Sequence, residues 1–148
     1  MVSTLDLLEG APEGTVYLPN PVDIDIFNPP LHKADHDSAL TFSHGAVDVA
    51  EKLAEEHGLT LTVHPRNMKF LEMPGLFGQF SWYIDTKRNN KGTLLCRSGG
   101  SGSLTGLEAL ACGLKVINSD GEIRVGLPDQ HRPQNAVMML EPIYKSLI

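Results

Sequence analysis

A glycine-rich segment that runs into a short apolar helix holds the residues of this chain best suited to binding chemistry. In order, these residues are Gly99, Gly100, Gly102, Ser103, Leu104, Thr105 and Glu108. The junction of such a loop with a helix offers unpaired backbone N–H groups and the positive end of the helix dipole to an anion. Glycines let that backbone come close to a phosphate. The segment predicts a site for a nucleotide or a phosphorylated ligand, although glycine runs also occur in loops that bind nothing.

Basic residues concentrate in the stretch from 64 to 97 that leads to this segment. Six of the twelve lysines and arginines of the chain lie there, namely Arg66, Lys69, Lys87, Arg88, Lys91 and Arg97. The same stretch holds only two acids, Glu72 and Asp85. The approach to the glycine-rich loop is therefore expected to be electropositive. The alternative is a set of cations spread over a solvated face.

Composition limits the class of protein. A chain of 148 residues with 41% hydrophobic and 20% charged residues is typical of one globular domain. No apolar stretch reaches the roughly 18 to 20 residues of a membrane helix, and the first residues lack the layout of a signal peptide. We therefore expect a cytoplasmic protein without a membrane span. The net charge of −6 argues against a nucleic-acid partner. Cys96 and Cys112 form no zinc or redox motif and are expected to be buried thiols.

The elements that must position the glycine-rich segment alternate between strands and helices. Strands are predicted at 40–43, 59–63, 81–85, 115–118 and 123–125, and helices at 46–57, 104–112 and 134–147. A turn is expected around Pro74-Gly75, and residues 93–96 are interpreted as loop. The alternation predicts an α/β fold, a three-layer Rossmann-like parallel sheet with helices on both faces. Residues 1–38 are rich in proline and are expected to form an arm that packs on a single domain spanning 39–148.

Three segments, in chain order, resemble the carboxy-terminal half of the GT-B glycosyltransferases, the retaining family that includes sucrose and glycogen synthases. Residues 18–29 (LPNPVDIDIFNP) are similar to the Pro-Asn-x-Val-Asp…Phe-x-Pro text that opens that half. Residues 104–117 (LTGLEALACGLKVI) are similar to the nucleotide-sugar donor motif and are the most specific match. The closing helix, which ends in residues 143–147, is the third segment.

This resemblance implies one half of a GT-B fold that binds a nucleoside-diphosphate sugar as its donor substrate. Carried over by position, residues 102–105 would contact the diphosphate, and Glu108 would accept hydrogen bonds from the ribose hydroxyls. Arg66, Lys69 or Arg97 would add positive charge near the phosphates. Glu108 has a second interpretation that stays equally open, because Thr105-x-x-Glu108 is also the spacing of a capping box.

Two departures from the family pattern bear on catalysis. The family has an acid eight positions before its ribose glutamate, where this chain has Gly100, and a basic pair after the first strand, where this chain has Ser-His-Gly-Ala at 43–46. The basic pair stabilises the leaving diphosphate. The family's amino-terminal half, which holds the acceptor site, has no counterpart here. Glycosyl transfer is therefore expected to need an acceptor-binding domain or a second subunit. No catalytic residue is assigned. The alternative function is that of a non-catalytic nucleotide-binding module.

Two patterns have residue types that suit a metal ion. Asp23 and Asp25 have the Asp-x-Asp spacing of a metal site, and His32, Asp35, His36 and Asp37 are all potential ligands. Outward acids on an edge strand and a solvated turn are the favoured interpretations. No metal and no other cofactor is expected.

Two further patterns concern the edge of the predicted sheet. Gly100 and Gly102, with Asp120 further along, imitate a dinucleotide fingerprint, but too few strand–helix units follow them. His44 and His64 each follow a predicted strand and are expected near the carboxyl edge of the sheet, where such folds bind ligands. Neither histidine is assigned a role in proton transfer.

Overall fold

Five strands form a single sheet that helices flank on both faces. The computed structural model describes residues 10–88 and 102–147. The strands are β1 (Ser38–Phe42), β2 (Thr60–His64), β3 (Trp82–Asp85), β4 (Lys115–Asn118) and β5 (Ile123–Arg124). The helices are α1 (Val47–Glu56), α2 (Met73–Phe77), α3 (Leu104–Ala111) and α4 (Pro133–Leu147). Short 3₁₀ turns lie at Phe70–Glu72 and Asp129–His131.

The sheet has the strand order β2-β1-β3-β4-β5. The first four strands in this order run parallel to their neighbours, and β5 runs antiparallel to β4. The antiparallel strand departs from the fully parallel sheet of the prediction, because only four residues join β4 to β5 and a connection this short returns the chain as a hairpin. The chain leaves β1 toward β2 on one side and later enters β3 on the other. The carboxyl ends of β1 and β3 therefore flank a topological switch point, the usual place for a ligand in such folds.

Alternating side chains of the central strands build a core on each face of the sheet. Ile84 and Ile117 point to the face covered by α1 and pack with its Ala50 and Leu53. Their neighbours Tyr83 and Val116 point to the opposite face and pack with α2 and α3. Because successive side chains of a strand alternate between faces, a single residue step separates the two clusters. The predicted α/β class is confirmed, and the arrangement is compatible with a three-layer Rossmann-like fold.

Residues that precede β1 pack against the same face as α3. Val22 and Phe27 are each 1% exposed and belong to the core cluster that contains α3 side chains. The N–H of Val22 donates to the carbonyl of His131 at 2.8 Å. The ring of His131 lies 2.9 Å from the Asn20 carbonyl through Nδ1. Because a carbonyl only accepts, Nδ1 carries the proton, and this hydrogen bond joins the amino-terminal segment to the turn before α4.

The predicted strands and helices in the described ranges are confirmed to within two residues at each end. The expected turn at Pro74-Gly75 is wrong, since α2 occupies this place. A proline is accepted in the first turn of a helix, and Met73, Leu76 and Phe77 have the spacing that buries one helical face. Helix α4 continues through Pro142. The interpretation of 93–96 as loop lies outside the described residues.

None of the helices in the described ranges is long and apolar enough to cross a membrane.

The buried ring of His131 is expected to make the protein less stable in mild acid. Burial lowers its pKa, against an opposing effect of the hydrogen bond to Asn20, and Arg124 lowers it further. The folded protein therefore holds this proton less tightly than the unfolded chain. The stabilisation is complete above the unfolded pKa of about 6.5 and is lost as the pH falls below it.

Urea unfolding at a series of pH values from 7.5 to 5.0 measures this effect. We expect the free energy of unfolding to fall less steeply with decreasing pH in His131→Gln than in the wild type. His57→Gln, at an exposed position after α1, is the matched control and should keep the wild-type slope. Equal slopes in the wild type and His131→Gln would contradict the assignment.

Candidate functional site

A carboxylate at the end of β3 is hydrogen-bonded to the start of α3. Oδ2 of Asp85 accepts from the Ser103 hydroxyl at 2.7 Å and from the Ser103 N–H at 3.3 Å. The same hydroxyl oxygen accepts from the Gly106 N–H at 3.0 Å, which makes Ser103 the N-cap of α3. Ser103 and Asp85 are 5% and 1% exposed. The link therefore fixes the position of α3 relative to the carboxyl edge of the sheet.

This cap decides between the two interpretations of Glu108. Helix α3 begins at Leu104 and has Ser103 as its cap, so Thr105 lies inside the first turn. A capping box would require a Glu or Gln three residues after the cap, where this chain has Gly106. The capping-box interpretation of Thr105 and Glu108 is therefore wrong, and the role of the glutamate has to be sought in its surroundings.

The same cap limits which amides of α3 are open to an anion. The N–H groups of Ser103 and Gly106 bind the chain's own side chains. The N–H groups of Leu104 and Thr105 make no hydrogen bond with any residue in the described ranges. Gly102 precedes them with a φ of 77°, a conformation that suits glycine. Two adjacent amides thus remain for a ligand, and the predicted contacts at Gly99 and Gly100 lie outside the described residues.

Helix α1 begins at the same edge of the sheet without a side-chain cap. Its N-cap is Ala46, whose N–H donates to the Thr86 carbonyl at 3.0 Å. A Cβ on the preceding Gly45 would lie 2.9 Å from Thr86 Oγ1, so the close approach of β1 and β3 at this turn requires glycine. An uncapped helix start offers N–H groups and positive potential. The sequence analysis did not identify this helix start, although a glycine three residues after the end of β1 was the available signal.

Two buried polar atoms at the end of β3 have no hydrogen-bond partner among the described residues. They are the second carboxylate oxygen of Asp85, Oδ1, and the hydroxyl of Thr86. Thr86 is 2% exposed. Since buried polar atoms nearly always have a partner, this strand end needs a further polar group, from a ligand or from another segment. Both atoms lie beside the switch point between β1 and β3.

Arg66 follows β2 at the same edge in a strained backbone conformation. Its φ of 52° is uncommon for a residue other than glycine. Its N–H donates to Nδ1 of His64 at 3.0 Å, and its guanidinium carbon lies 5.5 Å from the centre of the Phe42 ring. Strain of this kind persists only where the surroundings enforce it, and such residues cluster at functional sites. Arg66 was among the predicted phosphate contacts.

Glu108 lies at this edge with two cations within electrostatic reach. It is 5% exposed, and burial raises the pKa of its carboxyl, while the charges of Arg66 and Lys87 oppose that rise. The same two cations act on His44, whose pKa is lowered first by burial and then by Arg66 and Lys87, against the opposing charge of Asp85. Two acids, Glu108 and Asp85, thus share one electrostatic neighbourhood with two cations and a neutral imidazole. Lys87 was counted with the basic stretch but was not predicted as a site residue.

Lys69, another of the predicted phosphate contacts, has a local role in the structure. Lys69 is exposed, and its backbone N–H is bound by the carboxylate of Glu72 at 2.7 Å, so it caps a 3₁₀ turn. Arg97 lies outside the described residues. A cation that sequence reasoning missed is Arg124 of β5, whose Nη1 would lie 3.2 Å from a Cβ on Gly102. Its proximity to the loop depends on the pairing of β5 with β4, which no spacing in the sequence reveals.

Asp23 and Asp120, acids considered for a metal site and for a dinucleotide fingerprint, each accept hydrogen bonds in a turn. Oδ1 of Asp23 accepts from the N–H groups of Asp25 and Ile26, at 3.0 and 3.3 Å, and so stabilises a turn. Within 10–88 and 102–147, no group of three or more histidines, cysteines and acids could hold a metal ion. Asp120 accepts from the N–H of Glu122 at 3.2 Å in the turn before β5.

The described residues of the site form a wall with a small depression in it. The depression between His44 and Gly45 on one side and Thr86 and Lys87 on the other leaves no space inside for a water molecule.

No protein-family model matches the chain, and no curated protein sequence matches it significantly. The geometry of this wall is therefore the basis for any assignment of function.

The close contact between Gly106 of α3 and the Asp85 carboxylate is expected to make stability sensitive to any side chain at position 106. A Cβ on Gly106 would overlap the Asp85 carboxylate, whereas a Cβ on Gly75, in α2, would meet nothing within 4 Å. We expect Gly106→Ala to lower the free energy of unfolding by roughly 1 to 3 kcal/mol, the usual cost of overpacking. Gly75→Ala is the matched control and should be neutral or more stable, since glycine costs about 0.5 to 1 kcal/mol within a helix. Equal stabilities of the two variants in urea unfolding would contradict the close contact.

Proposed function

We propose that this chain binds a nucleoside-diphosphate sugar at the carboxyl edge of the sheet, as the donor-binding half of a glycosyltransferase. The observation that carries the proposal is Glu108, a buried carboxylate within electrostatic reach of Arg66 and Lys87. It lies one turn after two amides, of Leu104 and Thr105, that bind no described residue. Such a ligand requires an acid that accepts hydrogen bonds from its hydroxyl groups, and cations and open amides that bind its phosphates.

In this proposal Glu108 holds the ribose. Burial of a carboxylate lowers the stability of the folded protein unless the carboxylate receives hydrogen bonds. The two neighbouring hydroxyls of a ribose supply two donors to two acceptor oxygens. An acid whose folded environment disfavours its charge is better suited to a role in binding than to a role in stability.

The diphosphate is proposed to lie between the starts of α1 and α3. This differs from the contacts expected at Gly102 and Ser103, because Asp85 already occupies the Ser103 amide. The open amides of Leu104 and Thr105 and the uncapped start of α1 border the switch point between β1 and β3. Arg66 and Lys87 supply the positive charge that offsets the nearby carboxylates.

Glycosyl transfer itself is proposed only in combination with a second wall. In this proposal the described residues form one side of a cleft, and an acceptor-binding domain or a second subunit forms the other. A non-catalytic nucleotide-binding module is the second candidate, and His44 favours it. This residue stands where the family has its basic pair, and its lowered pKa keeps the ring neutral at pH 7, so it does not replace the missing charge.

Calorimetric titration with UDP, GDP and inorganic pyrophosphate tests the proposal. We expect saturable binding of one nucleotide, weakened about tenfold in Glu108→Gln because a charged acceptor for the ribose is lost. Pyrophosphate has no ribose, so its affinity should stay unchanged or rise in this variant. Lys87→Gln should weaken all three ligands, and Lys52→Gln, on the exposed side of α1, should weaken none.

The same variant separates binding from folding. The raised pKa of Glu108 means that the folded protein holds this proton more tightly than the unfolded chain does. Its contribution to stability is therefore present at low pH and is lost as the pH rises through the folded pKa. Glu108→Gln should thus be at least as stable as the wild type at pH 8. A clear loss of stability with unchanged nucleotide affinity would contradict the proposed role, as would the absence of saturable binding of either nucleotide.

A further inference from the structure

A groove of about 390 Å³ opens at the opposite edge of the sheet, where β3 and β4 begin. Its size falls within the range of about 300 to 1,000 Å³ that small-molecule sites usually have. The walls come from three places in the chain: residues 29–36 before β1, residues 80–82 at the start of β3, and residues 112–115 between α3 and β4. None of the residues that line the groove is among the proposed nucleotide contacts, and Cys112 is the lining residue that the charge of Glu108 reaches.

Two features of the fold shape this groove. Trp82 and Lys115 are the first residues of β3 and β4 and are paired in register across the sheet. Gly113, with a φ of 86°, reverses the chain after α3, and a Cβ on it would touch Pro29 at 3.5 Å. Regular pairing on one side and a glycine turn on the other thus hold the walls in place.

The walls are mainly apolar. Pro29, Pro30, Phe80, Trp82, Cys112 and Leu114 contribute side chains to them. Burial, and then the charge of Glu108, raise the pKa of the Cys112 thiol to about 12, so the thiol is neutral and behaves as a small apolar group. The indole N–H of Trp82 is satisfied by the His36 carbonyl at 2.9 Å, which leaves the body of the ring as an apolar surface.

The charged groups of the groove are all basic. Lys33, His36 and Lys115 line it, and no acid among residues 10–88 and 102–147 does. Neither lysine forms an ion pair with a residue in the described part of the chain. The Lys115 ammonium lies 4.9 Å from the centre of the Trp82 ring, so a positive charge is held beside an aromatic wall. The carbonyl end of α3 carries a negative potential, which repels an anion. The attraction for an anion therefore has to come from the lysines.

We propose that this groove is a second binding site, for a small organic anion whose body is aromatic or aliphatic and whose head is a carboxylate or sulfonate. The apolar walls take the body, and Lys33 and Lys115 take the head. Charge complementarity favours this occupant, because two lysines that pair with no acid in the described part of the chain border an apolar surface of the size of a small molecule. The proposal is independent of the nucleotide site.

Fluorescence titration with 8-anilinonaphthalene-1-sulfonate, an anionic aromatic probe, tests the site. Trp82 is the single tryptophan of the chain and forms part of the wall, so its emission reports on this groove directly. We expect saturable quenching of Trp82 as the probe binds, with unchanged probe affinity in the presence of UDP or GDP. The double variant Lys33→Gln/Lys115→Gln should bind the probe about fivefold more weakly, since two exposed charge pairs are lost. Lys52→Gln is the matched control and should bind as the wild type does.

An uncharged probe of nearly the same shape, N-phenyl-1-naphthylamine, separates charge from apolar contact. We expect it to bind more weakly than the sulfonate to the wild type and equally well to the wild type and the double lysine variant. Circular dichroism and urea unfolding confirm that the double variant is folded, and each single lysine variant provides a milder change if it is not. Equal affinity of the wild type and the lysine variants for the sulfonate would overturn the proposal, as would the absence of saturable Trp82 quenching.

Discussion

The hydrogen bonds between Asp85 and Ser103 are the constraint on which the site depends. They join the last residue of β3 to the cap of α3, across the crossover between two central strands. Because the Ser103 hydroxyl also accepts from the Gly106 N–H, a single side chain fixes both the sheet contact and the first helical turn. Gly106 allows this approach, since any Cβ there would meet the Asp85 carboxylate. Glu108 follows on the same helix, so its position relative to Arg66 and Lys87 depends on this link.

The link also changes what the start of α3 can bind. A helix start attracts anions through its unpaired amides and its dipole, and here a carboxylate of the protein already takes part of that attraction. A ligand has the adjacent amides of Leu104 and Thr105, the uncapped start of α1 and the nearby cations. The two buried atoms at the end of β3 that have no partner among the described residues lie at the same edge. In the proposed site, the groups that would bind a ligand therefore come from several elements.

Local patterns in the sequence were sufficient to predict most of the fold. The apolar positions of α1 recur at helical spacing, and β4 reads as a short apolar strand after the glycine that ends α3, so both elements could be found without tertiary information. The helix at Met73–Phe77 was missed because its proline and glycine resemble turn signals, whereas the burial of Met73 and Phe77 decides the outcome. Strand β5 was found, but its antiparallel direction follows from the length of a turn and not from its own residues.

The site was harder to predict because its parts are distant in the chain. Glu108 and Arg66 were identified from a motif and from charge, but the bond from Asp85 to Ser103 spans 18 residues and has no signature in either segment. The groove at the edge where β3 and β4 begin likewise combines three separate stretches.

Amide hydrogen exchange measured residue by residue tests the central link most directly. In the free protein we expect slow exchange at Ser103 and Gly106 and fast exchange at Leu104 and Thr105, with the latter pair slowed when UDP or GDP binds. Fast exchange at Ser103 and Gly106 in the free protein, or protection of all four amides before any ligand is added, would contradict this account.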